Sequence, residues 1–213
     1  MAHEDGFPLF LLGIVLLPTE STVLHVFEER YKQLVGHCIE GGHQFGVIYT
    51  DEDEPAEFGC AAHIDRVLEQ FEDDRMNVVV TGVEPVRVIA TSESLSYPSA
   101  TIERVSDTLP PESADPEQLE RTRFAYSRLV EAITDELPDP NELDLLYAYE
   151  MAAQVDLDNT DKQLLLETRD ENTRLASLEE IFANAAVTVA ETRELARRAK
   201  TNGHGRYPRA SEE

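Results

Sequence analysis

The sequence predicts an α+β protein in which a β-rich domain precedes a bundle of helices. Residues 1–107 consist mainly of short apolar runs separated by turn-forming residues, a pattern typical of strands. Residues 117–200 repeat their apolar positions every three or four residues, which predicts helices. Between them, residues 108–116 (TLPPESADP) are polar and rich in proline, as expected of a linker. Residues 201–213 show neither pattern, and we expect a disordered tail there.

Turn signals divide the first half into short segments. The polar residues 72–75 separate two long apolar runs and predict a hairpin. Because these segments are largely uninterrupted by helices, they indicate a barrel or a sandwich. The predicted strands are Phe7–Leu12, Ile14–Leu17, Val23–Phe27, Phe45–Thr50, Cys60–Phe71, Met76–Val83, Val86–Ala90 and Ser99–Val105.

One helix is predicted within the first half. Its apolar positions follow the spacing of a single helical face. They are Tyr31, Leu34, Val35, Cys38 and Ile39. Glu28 and Glu29 would occupy the first turn, where the helix dipole favours acidic side chains. The pair Gly41 and Gly42 suits a left-handed cap at the other end.

The second half carries repeated signals for helix starts. Asp115, Pro116 and Gln118 fit a capping box with proline at the first helical position, and Asp139, Pro140 and Glu142 repeat the device. The sequence predicts four helices. The first begins near residue 115 and ends before Pro138. The second begins at Asp139 and carries Leu143, Leu146 and Tyr147. The third begins near Thr160, and the fourth runs from about Asp170 to Lys200.

The composition excludes several classes of protein. The formal net charge is -25, whereas nucleic-acid binding requires clustered lysine and arginine, so we expect no nucleic-acid partner. The sequence contains no apolar run long enough to span a membrane and no basic leader of a signal peptide. The two cysteines suit a reducing compartment. We therefore expect a cytoplasmic protein with no membrane partner.

Signatures of catalysis and of bound cofactors are missing from the sequence. It contains no phosphate-binding loop, no nucleophile elbow and no HExxH motif, so we expect no catalytic residue and no cofactor. Zinc is one hypothesis for Cys38, His43, Cys60 and His63. However, Cys38 lies on the apolar face of the predicted helix, and Cys60 and His63 would point to opposite faces of a strand. We therefore predict no metal site.

Four aromatic residues stand near the ends of predicted loops: Tyr49, Phe58, Phe71 and Tyr97. They form either part of the core or a shallow peptide-binding face, and the general burial of aromatic side chains favours the core. The acidic runs 51–54 and 72–74 are expected to be solvated loops, with a cation or basic-peptide site as the alternative.

The most distinctive stretch covers residues 7–31. It contains a PLF strand, a glycine, a proline stop and the segment LHVFEERY. Its key positions are Pro8, Phe10, Gly13, Pro18, His25, Phe27, Glu28, Arg30 and Tyr31. This stretch resembles the opening of the N-terminal substrate-binding domain of the Lon protease. The later DKQLLLE segment, followed by Arg174 and Leu175, is similar to that family as well. Residues 19–21 (TES) depart from the proline–glycine turn common in the family, and we expect a different loop there.

The resemblance implies a fold and a function. It implies that the first half is a mostly antiparallel PUA-like β-barrel and that the protein is a stand-alone, non-catalytic module that binds polypeptide. Its partners would be unfolded or exposed polypeptide segments, with a protease or a chaperone as further candidates. The family residues between His25 and Tyr31 are then structural, although His25, Glu28 and Arg30 also form a compact polar group. A nucleic-acid-binding PUA-like protein is the alternative function.

Overall fold

Within the residues that the structure describes, all strands precede the helical half, as the sequence predicts. The computed structural model describes residues 3–51, 54–92 and 94–202. Six strands lie in the described residues before position 105: β1 His3–Leu12, β2 Ser21–Val26, β3 Phe45–Tyr49, β4 Phe58–Gln70, β5 Met76–Ser92 and β6 Ser99–Arg104. The helices are α1 Glu29–Gly41, α2 Pro116–Thr134, α3 Pro140–Leu143, α4 Ala148–Ala152, α5 Asn159–Glu167 and α6 Glu171–Asn202. A 3₁₀ turn at Pro111–Ser113 lies in the predicted linker.

The strand pairings form a closed circuit. The order is β2-β5-β4-β3-β1-β6, and β6 pairs in addition with β5. Five strands therefore make a ring. β2 pairs with residues 76–81 of β5, on the side opposite β4, and β6 pairs with residues 86–92 of the same strand. Among the described strand pairs, only β1 and β3 run parallel. The predicted mostly antiparallel barrel is therefore present.

Two buried clusters hold the fold together. The smaller one lies inside the ring, because its buried members come from all five ring strands and from no helix: Phe7, Leu9, Ile48, Ala61, Val86, Ala100 and Ile102. The larger one contains the opposite face of the strands, α1 and the helical half, from Phe10 to Phe182. One continuous core thus joins the segments that the sequence assigns to two domains.

The β-rich half differs from the sequence prediction in two places. Val15, Leu16 and Leu17 are buried but do not form a strand. Side chains satisfy their backbone instead, since Val15 N–H donates to Asn159 (3.0 Å) and Leu17 N–H donates to Glu20 (2.9 Å). In addition, β5 is one continuous strand and not two, because bulges in the β4–β5 ladder accommodate its curvature.

The ends of α1 and α2 follow the predicted chemistry in part. Gly42 caps α1 in the left-handed conformation (φ 64°), whereas Glu28 makes no side-chain capping bond. Asp115 caps α2 by accepting the N–H of Glu117, but Gln118 turns to Thr122 and Glu179 and does not complete the predicted capping box. The helix ends at Asp135 (φ 64°), before Pro138.

The rest of the helical half departs from the prediction at one helix. Two short helices, α3 and α4, replace the single predicted second helix, because the chain turns at residues 144–147. The long last helix, α6, reaches Asn202, and the remainder of the predicted tail lies outside the described residues. In the described part of the chain, none of the helices has the length and hydropathy required to span a bilayer.

Candidate functional site

A cavity of about 740 Å³ opens at one end of the barrel. Its apolar wall continues the inner cluster of the ring, because alternate residues of β1 point inward and Leu9 and Leu11 both line it. Ile48 from β3 and Val88 from β5 complete this wall. The cavity is therefore the open mouth of the barrel, and we call it the mouth cavity.

The rim of the mouth cavity is polar and of mixed charge. Arg30, from the first turn of α1, lies on this rim together with Glu54 and Glu57 from the loop that follows β3, and it pairs with Glu28, whereas Glu57 pairs with Arg87. Leu95, in the connection between β5 and β6, is an apolar residue on this rim and is 42% exposed. An apolar wall with a few polar groups at its edge is the usual arrangement of a binding pocket in proteins.

The chemistry of the lining favours binding over catalysis. The described lining contains serines at positions 92, 96 and 99 but no histidine, lysine or cysteine, so it offers neither a Ser–His nor a Ser–Lys pair. Burial raises the pKa of Tyr97, and the neighbouring Cys38 adds to the rise, so this hydroxyl stays protonated at neutral pH. These groups provide hydrogen bonds and apolar contacts.

The four predicted aromatic residues lie in different places. Tyr97 is buried and lines the mouth cavity, together with Arg30 of the family motif. Tyr49 lies on a smaller groove between the barrel and α5. The ring of Phe58 lies beneath the guanidinium of Arg87, whose central carbon is 5.9 Å from the ring centre. Phe71, in the β4–β5 turn, stands beside His25 at 6.1 Å. The four do not form one continuous face.

The groove at Tyr49 is the place where the barrel meets the helices. It has a volume of about 370 Å³, and α5 supplies its other wall, including the half-exposed Leu164. Gln163 crosses its base, where its amide donates to Phe58 O at 3.1 Å and its own Oε1 is buried without a described partner. This groove is shallower than the mouth cavity.

The family-motif residues serve mainly to join α1 to the barrel. Phe10 and Tyr31 stack at 4.1 Å, and the Tyr31 hydroxyl donates to Leu11 O. The proposed polar group separates into local pairs: Arg30 donates to Glu28 at 2.9 Å, whereas His25 bonds Asn77 at 2.7 Å. The other motif positions lie along the same stretch. Pro8 pairs with Ser99 in the β1–β6 ladder, and the Gly13 carbonyl accepts a hydrogen bond from Asn159. Pro18 forms an isolated bridge with Gly82, and Phe27 is exposed.

Cysteine and histidine do not come together as metal ligands in the described residues. Cys38 and Cys60 are both buried, and burial raises their pKa values to about 11 and about 12. His63 is exposed and pairs with Asp65 at 2.7 Å. Within the described part of the chain, no group of three or more potential ligands is placed to hold a metal ion.

Sequence reasoning missed most of the mouth cavity. Leu9, Leu11 and Val88 were assigned to strands, but the pattern of one strand does not show which of its residues reach an open end. The signal that was available is the alternation of Phe7, Leu9 and Leu11, which places all three on one face of β1. This face becomes the wall of a cavity only because the five strands close into a ring, and that closure depends on pairing between residues far apart in the sequence.

Comparison with known families decides the classification. Residues 7–184 match the family model of the substrate-binding domain of ATP-dependent protease La (Lon). The chain belongs to this family. The match includes both the barrel and most of the helical half, so the Lon domain covers the continuous core described above. The matched domain is a non-catalytic module.

Solved structures show the same Lon fold. The Lon N-terminal domain protein from Xanthomonas campestris superimposes with a TM-score of 0.62 at 23% identity, covering 84% of this chain and 97% of the other. The N-terminal domain of Mycobacterium avium complex Lon protease gives a TM-score of 0.57 at 21% identity, covering 84% and 98%. At these identities the likeness establishes the fold.

Proposed function

We propose that this chain is a non-catalytic module that binds exposed segments of polypeptide at the mouth cavity. Membership of the Lon substrate-binding family gives the class of ligand. The single observation that supports the place is the apolar wall of the mouth cavity, where the partly exposed Leu11 and Val88 lie beside the buried Leu9 and Ile48. Open apolar concavities on a folded domain are where ligands with apolar groups bind.

The size of the mouth cavity suits one or two apolar side chains of a peptide. Binding removes those side chains and Leu95 from water, and each large apolar side chain contributes about 1.5–3 kcal/mol. Ordering an unfolded segment costs conformational entropy, which offsets much of that gain. The expected affinity is therefore weak, as suits a site that samples many sequences.

Charge selects among possible ligands. The described rim carries Arg30, Glu54 and Glu57, and the whole chain carries a net charge of -25. This field repels polyanions, so RNA is disfavoured, and it favours neutral or basic peptides. The partners we propose are unfolded or exposed polypeptides in the cytoplasm, delivered to a protease or a chaperone.

The substitution Leu95→Asp tests the site. It removes an exposed apolar contact and adds a charge, and it should weaken binding of a labelled, permanently unfolded polypeptide at least about fivefold in fluorescence anisotropy. Leu145→Asp is the matched control, because Leu145 is 74% exposed and lies in the turn before α4. Equal affinity of both variants, or salt-sensitive binding of a labelled RNA without a polypeptide signal, would refute the proposal.

A further inference from the structure

The sheet has two open edges outside the closed ring. β2 pairs with β5 on one side and with no described strand on the other. The distal half of β4 is open as well, because β3 pairs only with its residues 60–62. An open edge presents unpaired backbone N–H and C=O groups, and proteins usually protect such edges against unwanted pairing.

The β4 edge is protected in the usual ways. Its register with β5 shifts between Ile64 and Arg66 and again between Val67 and Glu69, and such bulges disturb the regular spacing that another strand needs. Asp65, Arg66 and Glu69 add charge along the same segment. This edge is therefore a poor template for a further strand.

The β2 edge has none of these protections. Its sequence, STVLHV, contains no Asp, Glu, Lys or Arg and no proline, although these four charged residue types make up 29% of the chain. Six consecutive residues from Ser21 to Val26 pair with β5 without a register shift. Val23 is 55% exposed, and the adjoining Phe27 is exposed too. A regular, uncharged edge is what strand addition requires.

The backbone directions of β2 follow from one hydrogen bond. Gly82 N–H donates to Glu20 O at 2.9 Å, so this pair belongs to the hydrogen-bonded set of the antiparallel ladder. Because that set alternates, the backbone groups of Ser21, Val23 and His25 point away from β5. Among the described residues, no hydrogen bond from outside the sheet ends on these groups. They form a row of free donors and acceptors with a two-residue repeat.

We propose that an extended segment of another polypeptide adds to β2 as a further strand. The inference rests on the proposed function. It adds a second contact, in which the β2 edge forms hydrogen bonds with the backbone of the bound polypeptide. Main-chain pairing is independent of side-chain identity, and the alternating contact at Val23 and Phe27 adds a preference for apolar residues. Such a surface accepts many sequences provided that they are unfolded.

Charge argues against a second copy of this chain as the occupant. Each copy carries a net charge of -25, and two copies joined edge to edge would repel each other. Asp65 and Glu69 on the same exposed sheet face, which bond Thr81 and Asn77 across the strands, add local negative potential. The occupant is therefore a neutral or basic extended segment that is rich in apolar residues.

The test uses two forms of one synthetic peptide, an apolar octapeptide with two lysines. The second form carries N-methyl groups on alternate backbone amides, which removes the donors without changing the side chains. We expect the methylated form to bind at least about tenfold more weakly in fluorescence anisotropy, because one set of ladder bonds is lost. Equal binding of the two forms would overturn strand addition.

Variants of the protein locate the contact. Val23→Lys places a charge on the β2 edge and should weaken binding of the unmethylated peptide at least about fivefold. Val67→Lys is the matched control, because Val67 is 41% exposed on the protected β4 edge, and it should bind like the parent. Val23→Pro removes an outward-facing N–H and keeps the bonds to β5, so it should act like Val23→Lys.

The outcomes separate this inference from the proposed function. If Leu95→Asp weakens binding but Val23→Lys and Val23→Pro do not, the edge inference fails and the mouth cavity stands. If none of the peptides binds the parent protein, the proposed function itself fails. A parent dimer in sedimentation that Val23→Lys dissociates, with peptide affinity unchanged, would show that β2 pairs with a second copy and would also overturn the inference. Circular dichroism of each variant verifies that it is folded.

Discussion

Lys162 on α5 donates to Glu20, beside β2, at 2.6 Å, although 142 residues separate them in the sequence. The other oxygen of Glu20 accepts the N–H of Leu17. Both side chains are largely buried, at 10% and 17% exposure. One carboxylate thus holds the loop between β1 and β2 in place and fastens it to the helical half.

Removing the cation of this pair should destabilise the whole domain. Lys162→Met leaves the Glu20 carboxylate largely buried without its partner, and we expect a loss of about 2–4 kcal/mol in the free energy of unfolding by urea. Arg128→Gln breaks an exposed ion pair with Glu131 and should change stability by less than about 0.5 kcal/mol. Similar losses in the two variants would show that the pair has no special role.

The loop that Glu20 holds contains a strained residue. Thr19 has a φ of 67°, in the left-handed region that β-branched residues avoid. This position falls within the departure from the proline–glycine turn of the family, so threonine adopts here a conformation that glycine adopts without strain. The backbone of this loop therefore takes a glycine-like conformation at a threonine.

Thr19→Gly should therefore stabilise the protein. Relief of the left-handed strain is worth about 1–2 kcal/mol, and the added freedom of glycine in the unfolded chain takes back about 0.5–1 kcal/mol. We expect a net gain of about 0.5–1 kcal/mol, measured as a higher melting temperature. Thr22→Gly, in β2, is the control and should lower the melting temperature. A loss of stability in Thr19→Gly would contradict the strain argument.

Both thiols should be inert in the folded protein. Burial raises the pKa of Cys38 to about 11 and that of Cys60 to about 12, so almost no thiolate exists at pH 8. We expect Ellman's reagent to titrate neither thiol in buffer and both in urea. Because the folded pKa values exceed the unfolded ones, this contribution to stability is complete below about pH 9 and is lost as the pH rises towards 11–12. A thiol that reacts within seconds at pH 8 would contradict the buried positions.

Arg174 should not tolerate lysine. It is 1% exposed, bonds both Asp107 and Glu171, donates to Thr168 O and lies 4.4 Å from the Tyr149 ring centre. Lysine cannot reproduce the planar fork of donors, so we expect Arg174→Lys to lose about 2–4 kcal/mol in urea unfolding. Arg169→Lys, at an exposed arginine that bonds Ser106 O, should cost less than about 1 kcal/mol. Equal costs would mean that the buried network contributes little.

The sequence predicted the features that depend on local chemistry. Asp115 caps α2 and Gly42 caps α1 because each acts on residues within one turn of its own position. Local rules failed where a distant side chain took the place of a strand partner. Val15 has the pattern of a strand residue, yet its N–H donates to Asn159 in the other half of the chain.

The candidate site could be predicted only in part for the same reason. Tyr97 and Arg30 were both singled out, but for unrelated reasons, and nothing in the sequence placed them on one cavity. Tyr49, Phe58 and Phe71 share the same local signal as Tyr97, but the structure separates them. Tyr49 ends β3, whereas Phe58 begins β4 and Phe71 follows its other end. Which strand ends meet is decided by ring closure, which couples residues as distant as Pro8 and Ser99.

The pairing of β1 with β6 also sets the order of events during synthesis. A ribosome releases the chain from its N-terminus, and β1 finds its antiparallel partner only after residue 104 has emerged. The larger cluster includes Leu175, Leu178 and Phe182 of α6, so it is completed only when these residues have left the exit tunnel. Contacts between such distant residues make folding slow, and the apolar side chains of the incomplete cluster stay exposed in the meantime. We therefore expect the nascent chain to bind chaperones during its translation.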